Sequence, residues 1–233
     1  MKFSVSKEVF EKMETACFGI VVAKNIDNST SHQILALLEQ SILSTEVKYQ
    51  DKNVKEADEI AYYREKFSDL GINPNKFMSS IEAMITRVAK KKGLPHINSI
   101  VDLGNAISLK YTVPIGAHDL DQADEDICLR LSEKGDVFVP FGETEAETLD
   151  EGELIYAVGN RVKTRRWIWR QSEVGKITEE SKNIFFPIDG FSDKNIESVM
   201  CSRDELSELL SKYFGCAVTV GFVDKDNPEF SLI

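Results

Sequence analysis

Two hydrophobic rhythms occupy different parts of this chain, and their order limits the fold more than any single residue does. In "SHQILALLEQSILS" (31–44), apolar residues at 34, 35, 37, 38, 42 and 43 share one helical face. "SIEAMITRVAKKK" (80–92) predicts a second helix, with Ser79 or Ser80 as cap, Gly93 as stop and Pro95 beyond. "SIVDLGNAISLKY" (99–111) predicts a third, capped by Asn98 or Ser99. The chain then breaks into short β-rich runs, "DVFVPF", "ELIYAVG", "RRWIW" and "NIFFPI". "CFGIVVAK" (17–24) predicts a buried strand near the start. Towards the end a capping box, Ser202 with Glu205, is expected to open a helix over "RDELSELLSKYF", which Gly215 can end before a closing strand "CAVTVGFV". Helical and sheet segments in this order define an α+β fold. No repeat or low-complexity tract divides them, and Pro and Gly are scattered, so one domain over residues 1–233 is expected.

The chain has 233 residues, 42% of them apolar, enough for a substantial core. It has no run of about 18 apolar residues, and acids interrupt its first stretch, so a soluble, cytoplasmic protein without a membrane partner is expected. Cys17, Cys128, Cys201 and Cys216 form no CxxC pair and are expected to be buried free thiols. A net charge of −11 argues against nucleic-acid binding through the whole surface. Local charge differs: "RVKTRRWIWR" (161–170) holds five basic residues and no acid, and "ETEAETLDEGE" (143–153) six acids and no base. Arg87, Lys90, Lys91 and Lys92 end a predicted helix. Either basic group is a candidate anion contact or a solvated face.

Motif chemistry is mostly exclusion. "DLDQADED" (119–126) has five carboxylates but neither the glycine nor the glutamate that a calcium loop requires. HExxH, P-loop, GxGxxG and GxSxG patterns are absent, so no metal or cofactor is expected. His32, on a helix, and His96, in the turn "GLPHIN", read as structural. His118, in "TVPIGAHDLD" (112–121), is the candidate for chemistry, as base, acid or hydrogen-bonding group.

The run "HINSIVDLGNAISLKYTVPIGAHDLD" (96–121) resembles, without a gap, the B3/B4 domain of the bacterial phenylalanyl-tRNA synthetase beta subunit. Ile97, Asn98, Val101, Asp102, Asn105, Pro114, Ala117, Asp119, Leu120 and Asp121 match its pattern, and "ITEESKNIFF" (177–186) resembles a second stretch of that family. The resemblance covers roughly residues 60–200 and implies a mixed or antiparallel sheet core packed by helices. It also implies an editing activity: hydrolysis of a wrongly esterified aminoacyl-tRNA by positioned water and hydrogen-bond donors, without metal or covalent nucleophile.

The resemblance carries Asn105 over as a pocket residue. It departs at Gly104, at Gly116, where the family has its pocket histidine, and at Pro187, where it has its glutamate. The family's glycine-rich loop falls opposite "WIWRQS" (167–172), so Trp169, Arg170 and Gln171 re-line that space and the tyrosine pocket is not expected to persist. A shift of two keeps a side chain on one face of a strand, so His118 and Asp189 are placed to restore the lost imidazole and carboxylate. The plainer alternatives are a His118 bonded near Asp119 and an Asp189 that begins the turn "DGFSD".

Strand alternation in "RRWIWR" would set Trp167 and Trp169 on one face and Arg166, Ile168 and Arg170 on the other, either as core or as a grip on carboxylate or phosphate. The expected site is therefore His118 as catalytic group, with Asn105, Gly116, Trp169, Arg170, Gln171 and Asp189 around the substrate. Arg161, Lys163, Arg165 and Arg166 are expected against nucleic acid. Three functions compete: an editing hydrolase acting on aminoacyl-tRNA in trans, a non-catalytic binder of an amino acid, small molecule or tRNA, and an interaction protein keeping only the fold. The motifs an aminoacyl-tRNA ligase needs for ATP and amino acid are absent, so ligation is not expected.

Overall fold

The computed structural model describes residues 1–28 and 31–233. A first strand, β1 (Lys2–Val5), and a short helix, α1 (Lys7–Lys12), lead into β2 (Ala16–Lys24). Four helices follow: α2 (His32–Lys48), α3 (Asp58–Asp69), α4 (Ser80–Ala89) and α5 (Ser99–Tyr111). The next part is sheet: β3 (His118–Asp119), β4 (Ile127–Leu131), β5 (Val137–Phe138), β6 (Glu147–Thr148), β7 (Leu154–Val158), β8 (Arg161–Arg165), β9 (Arg170–Gln171) and β10 (Ile184–Phe191). Helix α6 (Ile196–Phe214) and strands β11 (Ala217–Val223) and β12 (Glu229–Ser231) complete an α+β fold.

The strands form two sheets. The larger runs β12-β1-β4-β7-β8-β5-β6, with β9 paired to β8, and the smaller runs β11-β2-β10-β3. Pairing is antiparallel except for β1 with β4 and β5 with β8. In the smaller sheet every residue of β10 and all of β2 but its last are buried, because both faces are covered. Phe18, Ile20 and Val22 point into a core shared with the larger sheet, where Phe3 meets Phe18 at 5.9 Å and Phe185 at 5.1 Å. Val21 and Ala23, alternating with them, enter a second core with Ile107 of α5 and Leu206 of α6. The smaller sheet is thus the middle layer.

Local chemistry explains several boundaries. Asn98 accepts the Val101 amide at 3.0 Å and caps α5, Ser79 accepts the Glu82 amide at 3.4 Å and caps α4, and Gly215 takes a left-handed conformation (φ 59°) that ends α6. Helix α6 starts earlier than its capping box suggests: Ser202 lies inside the helix, buried, and its hydroxyl donates to the Val199 carbonyl. The predicted strand "RRWIW" is also corrected. Strand β8 stops at Arg165, then Arg166 (φ 49°) and Trp167 (φ 59°) turn the chain back into β9, so strand alternation does not apply there. Of the four thiols, Cys17 and Cys216 are buried, Cys128 is partly buried and Cys201 is exposed, which corrects the expectation for the last two. Among the described residues no helix is long and apolar enough to cross a membrane.

Candidate functional site

A cavity of about 80 Å³ lies where the two sheets meet. The segment before β3 runs along β10: the Gly116 amide donates to the Pro187 carbonyl at 2.9 Å, and the Asp189 amide to the Pro114 carbonyl at 3.1 Å. This register brings Gly116, His118, Pro187 and Asp189 to one wall. Tyr156, Thr164 and the turn from Trp167 to Gln171 form the other, held to α4 by the Ser80 amide, which donates to the Ile168 carbonyl at 2.8 Å. The volume is about half of the ~150 Å³ that holds a benzene ring in an engineered protein cavity, which favours small side chains over a tyrosine or phenylalanine ring.

Asp189 is 1% exposed. Its Oδ1 accepts from the Tyr156 hydroxyl at 2.7 Å and from Trp167 Nε1 at 2.6 Å. Oδ2 receives nothing from the described residues and is open to the cavity. Burial raises the carboxyl to about 7, against the opposing pull of those two donors. The Tyr63 hydroxyl fixes the Asp189 main chain through its carbonyl at 2.8 Å.

His118 is 2% exposed and stacks between Tyr156 and Phe185, with ring centroids at 5.5 and 5.9 Å. Nδ1 is buried and has no partner among the described residues. Nε2 lies beside Gly116, where an added Cβ would stand 3.3 Å from it and 3.0 Å from Pro187 Cγ. Glycine here leaves the imidazole edge reachable from the cavity. Burial, and secondarily the charge of Lys163, lowers His118 to about 3, so the ring is neutral at physiological pH.

Of the residues expected around a substrate, Gly116, Trp169, Arg170, Gln171 and Asp189 line this cavity with His118; Asn105, half-buried on α5, does not. Arg170 lies at the mouth, with its side chain 41% exposed and only a 3.9 Å approach to Glu143. Gln171 donates to the Ala117 carbonyl at 2.7 Å, which ties β9 to the His118 segment. Trp169 packs edge-on against Phe77 at 4.8 Å, whereas Trp167 is fully buried. Tyr156 and Trp167, which orient Asp189, carry no motif that marks them in the sequence.

The expected nucleic-acid face at 161–166 is not an open cationic surface. Arg161 pairs with Asp124, Arg165 with Glu147 (2.8 Å) and Glu153 (2.9 Å), and Arg166 with Glu153 (3.4 Å). Lys163 is 2% exposed, and its Nζ lies against Gly175 with no hydrogen-bond partner among the described residues. The acidic run at 143–153 supplies most of the countercharge. In contrast, Arg87, Lys90, Lys91 and Lys92 at the end of α4 are exposed and make no ion pair among the described residues. A larger groove of about 230 Å³ lies between α2, α5 and α6, but its charges are spent on each other: Lys48 on Glu59 and Lys110 on Glu205.

The residues that carry the family pattern mostly build the scaffold. Asp102 is buried and holds His96 and the Ile97 amide. Asp119 accepts from Ser181 Oγ at 2.7 Å, and Asp121 from the Lys182 and Asn183 amides, so the two matching stretches are tied to each other. These bonds occupy the carboxylates of "DLDQADED" nearest the site, and no metal-holding cluster occurs among the described residues.

Fold and cavity together define an α+β module that places an imidazole and a carboxylate on one small pocket between two sheets. The model of the B3/4 domain matches residues 62–215, and the chain belongs to that family. Phenylalanine–tRNA ligase beta subunits are similar to it. That of Fusobacterium nucleatum subsp. nucleatum is 29% identical over 124 residues, 53% of this chain and 14% of that subunit. That of Idiomarina loihiensis is 30% identical over 101 residues, 43% and 12% respectively. The chain thus matches only a small part of either ligase subunit. An N-terminal fragment of the phenylalanyl-tRNA synthetase beta subunit from Pyrococcus horikoshii shares the fold at 14% identity, with a TM-score of 0.51 over 93% of this chain and 49% of the fragment.

Proposed function

We propose that the cavity seats the aminoacyl end of a mischarged tRNA carrying a small amino acid, and that the protein hydrolyses the ester in trans. The supporting observation is that His118 Nε2 and Asp189 Oδ2 open onto one cavity formed by segments within the B3/4 match. Burial, and secondarily the charge of Lys163, keeps the imidazole neutral, and with its proton on Nε2, the nitrogen beside Gly116, His118 acts as a donor to the carbonyl oxygen rather than as a base. Water adds to the carbonyl carbon, the ester C–O bond breaks, and the proton ends on the released ribose hydroxyl. Arg170 at the mouth suits the terminal phosphate. The ten residues of α4 span about 15 Å from Ser80 on the cavity to the lysines at its far end, which offers Lys90, Lys91 and Lys92 to the tRNA backbone.

The test is release of amino acid from a panel of mischarged tRNAs. Small residues should be released at least ~10²-fold faster than in buffer, with most of that lost in His118→Ala, in line with removal of one oxyanion donor. Release at the buffer rate throughout would favour the second reading, a binding module on the same cavity. That reading draws on the weak basicity of His118, which leaves the imidazole unable to activate water.

A further inference from the structure

Asp189 is built into the cavity in a way that donation to a carbonyl does not use. One oxygen is held by two buried donors, Tyr156 and Trp167, and the other faces the space where a ligand would sit. Tyr63 holds its carbonyl, and Asn195, which donates to the Tyr63 hydroxyl at 2.9 Å, completes a support around it. No arginine or lysine pairs with this carboxylate among the described residues; the cavity lining it shares includes Tyr156, Trp167, Ile168 and Pro187, and the one cation of that lining, Arg170, is directed to Glu143. A buried carboxylate with one free oxygen and no countercharge gains most from a cationic hydrogen-bond donor, and aromatic faces add to that preference.

We infer that Asp189 Oδ2 recognises the free α-ammonium group of the aminoacyl ligand. The assignment rests on the cavity being the aminoacyl site and narrows its substrate class to small α-amino esters with an unblocked nitrogen. The ammonium points inward to Asp189, the ester carbonyl towards His118, and the tRNA leaves past Arg170 at the mouth. Esters whose nitrogen is acylated, peptidyl esters among them, lose the cation and add bulk at the deepest point of a cavity of about 80 Å³. The site therefore cleaves aminoacyl esters and spares N-blocked ones.

The experiment titrates the full-length protein, by calorimetry at pH 7, with alanine methyl ester, N-acetylalanine methyl ester and methyl lactate. Alanine methyl ester should bind about tenfold or more tighter than either of the others, the scale of one charge-assisted hydrogen bond. Its binding should also release about half a proton, read from buffers of different ionisation enthalpy, because Asp189 is near its midpoint when free and ionised when paired. Asp189→Asn, whose amide oxygen can still accept from Tyr156 and Trp167, should abolish both the preference and the proton release. Tyr156→Phe keeps the carboxylate and should retain the preference. Equal affinity for the three esters, or an unchanged preference in Asp189→Asn, would overturn the assignment. On tRNA, Asp189→Asn should raise KM more than it lowers kcat. Equal cleavage of aminoacyl-tRNA and its N-acetylated form would overturn the ammonium assignment while leaving the cavity reading standing; no probe binding and no deacylation would overturn both.

Discussion

Asp189 and His118 pull the stability of the fold in opposite directions as pH changes. The folded carboxyl of Asp189 sits near 7 against 3.8 in the unfolded chain, so the native state binds more protons between those values, and stability falls as pH rises through that window. His118 moves from 6.5 to about 3 on folding, so the native state binds fewer protons there, and its contribution is lost as pH falls from 6.5 towards 3. Each shift corresponds to about 4–5 kcal/mol at most, and their opposite pH dependences largely cancel near pH 5. Urea unfolding of Asp189→Asn across pH 3 to 7 should show stability rising steadily to about pH 6.5, and His118→Gln should show it falling above pH 4; parallel curves for both variants would contradict the assigned shifts. Lys163→Met should raise the pH at which His118 titrates, followed by nuclear magnetic resonance of the three imidazoles. These two side chains were legible because a displacement of two along an extended segment preserves the face: Gly116 and His118 share the cavity wall, as do Pro187 and Asp189. Asn105 was not, since matching a pattern on a helix does not fix which cavity the helix faces.

The segments that place these residues are held by ordinary element chemistry. Asn98→Ala removes the cap of α5 and should cost about 1 kcal/mol in denaturant unfolding without changing ligand affinity, because that helix lends no side chain to the cavity. Asp119→Ala cuts the tie to Ser181 and leaves a buried hydroxyl without its acceptor, so it should cost about 1–3 kcal/mol and loosen the His118 segment as well. Boundaries marked by caps and glycine, such as Ser79 and Gly215, are readable in the sequence because their signals are local. The start of α6 is not, since Ser202 and Glu205 imitate a capping box within a longer apolar helix. Nor is the turn at Arg166 and Trp167. Neither residue favours left-handed backbone, and tertiary support imposes it: the Trp167 amide donates to the Leu154 carbonyl at 2.6 Å, and its indole to Asp189.

At the scale of the whole molecule, the distribution of charge decides where an anionic partner can approach. The run at 161–166 is basic in sequence, yet the acidic run at 143–153 folds against it, a cancellation that counting charges along the chain does not reveal. The end of α4 is the exposed alternative. Replacing Lys90, Lys91 and Lys92 together by Glu should weaken tRNA binding and flatten its salt dependence by roughly 0.7–0.9 log units per lost phosphate contact, with alanine methyl ester binding unchanged. An unaltered salt slope would place the tRNA elsewhere. The two tryptophans of the chain, Trp167 and Trp169, both line the cavity, so their fluorescence responds to its occupancy. The most direct measurement is therefore a tryptophan titration with alanine and phenylalanine methyl esters, in the native protein and in Gly116→Val. A saturable change is expected with the alanine ester, none with the phenylalanine ester, and none with either once a side chain at 116 covers His118 Nε2. No change with the alanine ester in the native protein, or an equal response to the phenylalanine ester, would contradict that expectation.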